Sequence, residues 1–170
     1  MVLAIDTYYL PEEAHTVGVI FELGCSYPHD TIKSILPSDK YSSYIPGEFY
    51  KRELPPILDL LKKISLNGIE YIILDGYILL KDNDGNIKDG LGMHLSKALN
   101  GKHPPIIGVA KSNYCRTKEI SYCKLSHLFI QGYPISNNIA GNIIKSMSWG
   151  VGNLPTILQI LDKETKKGFS

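Results

Sequence analysis

No apolar stretch in this chain approaches the roughly 20 residues that a membrane span requires. The opening Met1-Val2-Leu3-Ala4-Ile5-Asp6 also meets a charge too early for a secretion signal. Neither insertion nor export is therefore expected, and the expected setting is the cytoplasm. Cysteine is scarce: Cys25, Cys115 and Cys123 are an odd number with no Cys-x-x-Cys spacing, which argues against zinc and disulfide frameworks alike. Reduced thiols packed as small apolar groups are the simpler reading. An excess of one charge is lacking as well. Lys+Arg 18 against Asp+Glu 17 leaves a net charge of +1, so no global field announces a polyanionic partner and any phosphate-binding surface must be local. There is no internal repeat and no low-complexity tract. What is present, 170 residues of which 44% are hydrophobic, suffices for one full core. A single monomeric domain over residues 1–170 is expected.

Val2 to Asp6 is a short apolar run ending in a carboxylate, and His15 to Leu23 is rich in β-branched and aromatic residues; both read as strands. The short link Pro11-Glu12-Glu13-Ala14 makes them antiparallel neighbours. Thr31 to Leu36 reads as a third strand. Phe49 to Ile64 carries apolar residues at 54, 57, 58, 61 and 64, a helical spacing that exits by Gly68, with Pro55 and Pro56 expected to start the regular helix. Ile69 to Leu74 has the continuous apolar character, broken only by Glu70, of a central strand buried on both faces. A loop, a helix over Leu91 to Leu99, a buried strand over Pro105 to Ala110 and an edge pair over Leu125 to Ile130 follow. Asn138 to Met147 and Leu154 to Lys163 read as closing helices. The order predicts a mixed sheet with helices on its faces, an α/β three-layer domain.

Three carboxylates in separate segments are the candidates for chemistry. Asp6 closes the first apolar run, Asp75 closes Ile69 to Leu74, and Glu53 lies at the head of the first helix. A lone acid is ordinarily a solvated surface group. Asp6 and Asp75 each follow a run that should be buried, where an ionised group is costly unless paired or bound to a cation. A carboxylate at a strand end sits on rigid backbone at the rim of a sheet, a position from which a metal can be offered to a substrate. The three point to a magnesium site, provided that the first and fourth strands are adjacent. Asp82-Asn83-Asp84-Gly85-Asn86 lacks the residue order of an EF-hand and reads as a β-turn. His94 reads as a packing residue of its helix and His103 as a loop residue, while His15, His29 and His127 have no partner at ligand spacing. Arg116, Lys118 and Lys124 form a basic cluster, either solvated or in reach of phosphate.

Tyr44-Ile45-Pro46-Gly47, followed by Arg52-Glu53-Leu54-Pro55, resembles the Tyr-Ile-Pro-Gly…Arg-Glu-x-Pro segment of the endonuclease V family. Four further blocks are similar in the same order. These are Ile5-Asp6-Thr7-Tyr8-Tyr9, Leu74-Asp75-Gly76, Gly90-Leu91-Gly92-Met93-His94-Leu95, and Pro105-Ile106-Ile107-Gly108-Val109-Ala110-Lys111. Beyond Lys111 the likeness thins to Gly132 to Ser136 and Leu154 to Asp162. The resemblance implies a ribonuclease H-like fold and a Mg²⁺- or Mn²⁺-dependent nuclease that cuts DNA or RNA near a deaminated base, typically inosine. It implies Asp6, Glu53 and Asp75 as catalytic metal-binding carboxylates and Lys111 as a catalytic lysine near the scissile phosphate. It further implies Tyr44, Ile45, Pro46 and Gly47 as a wedge entering the duplex, with Tyr8 also on the nucleic-acid side.

Departures accompany the likeness. The family's His-Pro-Arg after Asp-Gly is replaced by Tyr77 to Asp89, which is longer and lacks the histidine. Its later Gly-His corresponds to Gly132-Tyr133, and the arginine of its Pro-x-x-x-Arg-x-x-Asp pattern falls on Gln159. The metal carboxylates remain and several helpers are gone. A weakly active or non-catalytic nucleic-acid binder is therefore the alternative, and a scaffold domain whose carboxylates satisfy each other is the second.

Overall fold

The computed structural model describes residues 1–113, 121–167 and 169. The chain forms β1 (Val2–Tyr9), β2 (Glu13–Phe21) and β3 (Asp30–Pro37), then a short 3-10 turn and α1 (Tyr50–Leu61). Next come β4 (Tyr71–Asp75), a hairpin of β5 (Leu79–Lys81) and β6 (Ile87–Asp89), α2 (Leu91–Ala98) and β7 (Ile106–Ala110). A second hairpin of β8 (Cys123–Leu125) and β9 (Leu128–Tyr133) precedes α3 (Asn137–Ser146) and α4 (Thr156–Lys166). Seven strands make one mixed sheet in the order β3-β2-β1-β4-β7-β9-β8, while β5 and β6 form a separate ribbon. The central β1–β4 and β4–β7 pairs are parallel and the others antiparallel.

Because side chains alternate between the faces of a strand, each central strand feeds two cores. Val2, Ala4, Ile73 and Val109 pack toward α3 and α4, where Ile144, Ile157 and Leu161 meet them. Leu3, Ile5, Leu74 and Ile106 pack toward α1 and α2, against Ile57, Leu60 and Leu95. Each fully buried aliphatic side chain contributes about 1.5–3 kcal/mol, so both faces must be covered for the central strands to be stable. The result is the expected three-layer α/β domain, consistent with a ribonuclease H-like fold.

Three local expectations are corrected. β1 does not stop at Asp6: antiparallel pairing with β2 continues through Tyr9↔Ala14, whereas the parallel ladder with β4 ends at Ile5↔Leu74. Asp6 thus lies within its strand yet at the rim on the β4 side. Pro55 and Pro56 sit inside α1, which begins at Tyr50 and ends at Leu61, well before Gly68. The stretch after Asp75 is not a loop but the β5–β6 hairpin, with Asp82 to Asn86 as its turn. The edge pair expected over Leu125 to Ile130 is present with wider bounds, as β8 and β9, which Ser126 at a positive φ of 55° turns one into the other.

Three glycines from different elements seat the segment that leaves β4. A Cβ on Gly108 of β7 would lie 2.4 Å from the Gly76 carbonyl oxygen, one on Gly90 2.5 Å from the Tyr77 carbonyl oxygen, and one on Gly92 2.2 Å from Ile78. At Gly108 and Gly90 the contact is with backbone, so no larger residue fits there without moving Gly76 to Ile78, whereas at Gly92 it is the Ile78 side chain that would have to turn. The buried amide of Gln131 on β9 then accepts the N–H groups of Ile78 and Leu79 at 2.8 and 3.0 Å. Close backbone approach and this amide clamp fix the exit of Asp75.

Candidate active-site cleft at the carboxyl rim of the sheet

By register, Asp6, Asp75 and Lys111 follow the last core residues of three adjacent parallel strands: Ile5 pairs with Leu74, and Asp75 with Val109. They share the sheet face of Ala4, Ile73 and Val109, the side that packs against α4. Glu53 comes from the first turn of α1, on the opposite face, and leans over the same rim. All four line one open cleft of about 410 Å³, whose apolar walls include Phe49, Ile57, Leu80 and Leu91. The sequence-predicted catalytic residues are therefore brought to one cleft. Among the described residues, no three acidic, histidine or cysteine side chains converge closely enough to hold an ion by themselves. Asp6 and Asp75 are neighbours, and Glu53 faces them from across the cleft.

The electrostatics follow from that geometry. Burial, then the charge of Asp75, pushes the Asp6 carboxyl up to about 6, against a hydrogen bond at 2.8 Å that it accepts from the Thr7 N–H. Burial pushes Glu53 up to about 7; a hydrogen bond with Tyr9 opposes the rise, and the charge of Asp6 adds to it. Burial raises Asp75 as well, opposed by Lys111, whose Nζ lies 3.7 Å from Asp75 Oδ2. A row of mutually repelling acids with one cation beside it is an arrangement that a divalent ion would stabilise.

One acid at this rim enters the sequence reading only as the Asp that closes the Pro-x-x-x-Arg-x-x-Asp likeness and not as a site residue. Asp162 of α4 borders a smaller recess of about 30 Å³ together with Asp6, Asp75 and Lys111. Its signal is an acid placed one turn after Leu158 and next to Leu161 on the stripe that α4 buries against the sheet. Its present partner is Lys166, at 2.9 Å.

Tyr44 to Gly47 form an exposed turn, as the resemblance requires. The Glu48 N–H donates to the Ile45 carbonyl at 3.0 Å, with Pro46 second and Gly47 third in the turn, the latter at φ 79°. Tyr44 is 51% exposed and meets Phe49 of the cleft wall edge-on, with ring centroids 4.8 Å apart. Tyr8 is 40% exposed and does not line the cleft. The positions that replace family histidines are otherwise engaged. Tyr77 is buried and donates its hydroxyl to the Ser112 carbonyl at 2.7 Å, and Tyr133 stands half exposed at the end of β9. Gln159 donates its amide to the Leu154 carbonyl at 2.8 Å and caps the loop before α4.

The remaining candidates take structural roles. His94 stacks on Tyr50 with centroids 3.5 Å apart, and His103 joins Ser96 Oγ to the Pro104 carbonyl, both at 2.7 Å. His15 pairs with Glu13 at 2.5 Å. Cys25 and Cys123 are free, and Lys124 lies over the Phe129 ring. Arg116, Lys118 and Cys115 fall outside the described residues. No described helix is long and apolar enough to cross a membrane.

Comparison with known proteins finds no matching family model and no matching curated protein. Solved structures do match. Endonuclease V of Bacillus subtilis superposes with a TM-score of 0.69 at 17% identity, covering 96% of this chain and 77% of that one. The catalytic domain of human endonuclease V gives 0.71 at 16% identity, covering 98% and 80%. Endonuclease V of Ciona intestinalis, in complex with a 24mer DNA containing an inosine followed by a ribo-adenosine, gives 0.68 at 18% identity, covering 98% and 84%. At such identities the likeness is one of backbone architecture, and this chain has the fold of the endonuclease V structures.

Proposed function

We propose that the chain is a metal-dependent endonuclease of the endonuclease V type, which hydrolyses a phosphodiester near a deaminated base, inosine, in DNA or RNA. The observation that carries this reading is the row Asp6, Asp75 and Lys111 along the rim of three adjacent strands, with Glu53 across one cleft, in a fold shared with endonuclease V. The donor set fits Mg²⁺ or Mn²⁺. All donors are hard carboxylate oxygens, and Mg²⁺ is usually held by one or two carboxylates with waters and substrate phosphates rather than by a protein cage. Asp6 and Asp75, with Glu53 lining the same cleft, are the residues that would hold the ion. Bound there, a divalent ion lowers the pKa of its water and neutralises the leaving oxygen.

The chain's own residues supply the rest. Glu53, held at about 7, can take a proton near neutral pH, where such transfer is most effective. Lys111 stands at the rim beside Asp75 and offers its ammonium to a phosphate oxygen. The Tyr44–Pro46 tip parts the bases beside the cleft, at a cost of a few kcal/mol that a mispaired inosine reduces. The test is cleavage of inosine-containing DNA and RNA with and without Mn²⁺. A single metal-dependent break near the inosine is expected; absence of both cleavage and preferential binding overturns the reading.

A second reading, a binder that hydrolyses slowly or not at all, is favoured by one observation. The Tyr77 hydroxyl is committed to the Ser112 carbonyl where the family places a histidine. Inosine-selective binding without cleavage at saturating Mn²⁺ selects it.

A further inference from the structure

We infer that Lys88, on the β5–β6 hairpin, is a positioning residue that holds the Tyr44–Gly47 turn at the mouth of the cleft and thereby sets selectivity for the altered base. The inference rests on the proposed nuclease reading. Lys88 Nζ donates to the Gly47 carbonyl at 2.7 Å, joining residues 41 apart in sequence. The approach is close enough that a Cβ on Gly47 would lie 3.4 Å from the same Nζ.

The strap has a firm base. The hairpin closes where the Gly90 N–H meets the Ile78 carbonyl at 2.8 Å, and Asp89, next to Lys88, is paired with Lys97 of α2. The other end of the wedge loop is tied as well. Pro55 lacks the N–H that would occupy the Lys51 carbonyl in a regular helix, and that carbonyl accepts the Ser42 N–H at 3.3 Å instead. The turn is thus fixed to α1 on its entry side and to the hairpin on its exit side. Both supports border the same cleft, through Phe49 and Leu80. A tip that must enter a base step gains from being held in place before the duplex arrives, because less ordering remains to be done on binding.

The experiment compares the full chain with Lys88→Met and Lys88→Arg on two otherwise identical duplexes, unmodified and inosine-containing. Affinity is measured across a salt series, and a 2-aminopurine beside the inosine reports unstacking. Lys88→Met is expected to lower the preference for the inosine duplex about three- to tenfold and to reduce the unstacking signal, the scale of one charged hydrogen bond. Lys88→Arg, which keeps a donor of similar reach, is expected to restore most of both. Affinity for the unmodified duplex is expected to keep its salt slope. A slope lowered by about one in Lys88→Met marks a phosphate contact and overturns the inference. Equal preference in Lys88→Met and the unaltered chain overturns the inference alone. An unaltered chain with no preference for inosine overturns the inference, and where cleavage near the inosine is absent as well, the nuclease reading falls with it.

Discussion

The hydroxyl of Tyr9 donates to the backbone carbonyl of Arg52 at 3.2 Å, and that carbonyl is open to it because Pro56, four residues on, has no N–H to offer. A proline pair that breaks two helical hydrogen bonds thereby ties β1 to the turn that carries Glu53. The Arg52 guanidinium lies over the Tyr9 ring, 3.8 Å from its centroid, and completes the tie. Tyr9→Phe is expected to leave the Arg52 carbonyl unpaired, to cost about 1 kcal/mol and to lower Tm by about 2–4 °C. Because the same hydroxyl proton, shared between the Arg52 carbonyl and the Glu53 carboxylate, opposes the rise that burial imposes on Glu53, the acid limb of the cleavage profile is also expected to move to higher pH. A lower Tm with an unmoved limb would remove Glu53 from the proton-transfer role.

Asp6 and Glu53 predict how stability depends on pH without a divalent ion. Folding raises Asp6 from 3.8 to about 6 and Glu53 from 4.5 to about 7, burial being the main cause for each. An acid whose pKa is raised by folding keeps its proton better in the folded state. Its contribution therefore favours folding as pH falls through the folded value and opposes folding once both states are ionised. In EDTA, Tm is expected to fall from about pH 5 to pH 8, and Asp6→Asn is expected to flatten the fall and raise Tm at pH 8. A Tm in the variant that tracks the unaltered chain at every pH would show that the Asp6 carboxyl carries no such penalty.

Asp75 is half exposed and makes its nearest ion pair with Lys111, so its charge contributes little to holding the fold. Asp75→Asn is expected to leave the melting transition near its original temperature while lowering Mn²⁺-dependent cleavage at least about 100-fold, the scale of a positioned catalytic group. Calorimetry beside a cleavage time course distinguishes this from unfolding. Cleavage within a factor of a few of the unaltered chain would move the site elsewhere.

Gly108→Ala tests the seat of the β4 exit. The new Cβ meets the Gly76 carbonyl oxygen at 2.4 Å, a backbone atom that cannot swing away as a flexible side chain would. The expected cost is about 1–3 kcal/mol, with loss of cleavage beyond what the fall in stability explains, since Asp75 is carried on the displaced segment. Unchanged stability and activity would show that this crossing is looser than its geometry.

Much of the fold and of the candidate site was legible in the residue pattern, because central strands and rim carboxylates leave local marks. Tyr71 to Leu74 is apolar without alternation, and a strand covered on both faces needs that; the acid that follows it then has to stand at a rim. What was not legible depends on partners distant in the chain. Asp6 looked like a strand end because only its β4 partner stops there, while β2 continues to pair with Thr7, Tyr8 and Tyr9. Pro55 and Pro56 looked like a helix start because the acceptors that they free are satisfied by Ser42 and Tyr9, which no local rule reveals. Glu53 lines the same cleft as Asp6 and Asp75 without converging on them, and its arrival from the opposite face of the sheet depends on how α1 packs. Asp162 was visible only as the last residue of a thin likeness, because one acid on a helix reads as solvated until the sheet beneath it is known.

The helix that walls the small recess beside Asp6 and Asp75 is also the last element in chain order. Ile157 and Leu161 of α4 cover the face of the opening hairpin that holds Ala4, Val17 and Val19. During synthesis the hairpin is made first and its covering last, so these side chains stay open to solvent until residue 166 has left the ribosome. The interval in which the β1–β2 face is bare is set by translation, not by the speed of folding, and at about 5–20 residues per second it lasts some seconds. A ribosome stalled before α4 would present an apolar ribbon to chaperones, and the carboxylate row would lack its second wall until α4 had been made.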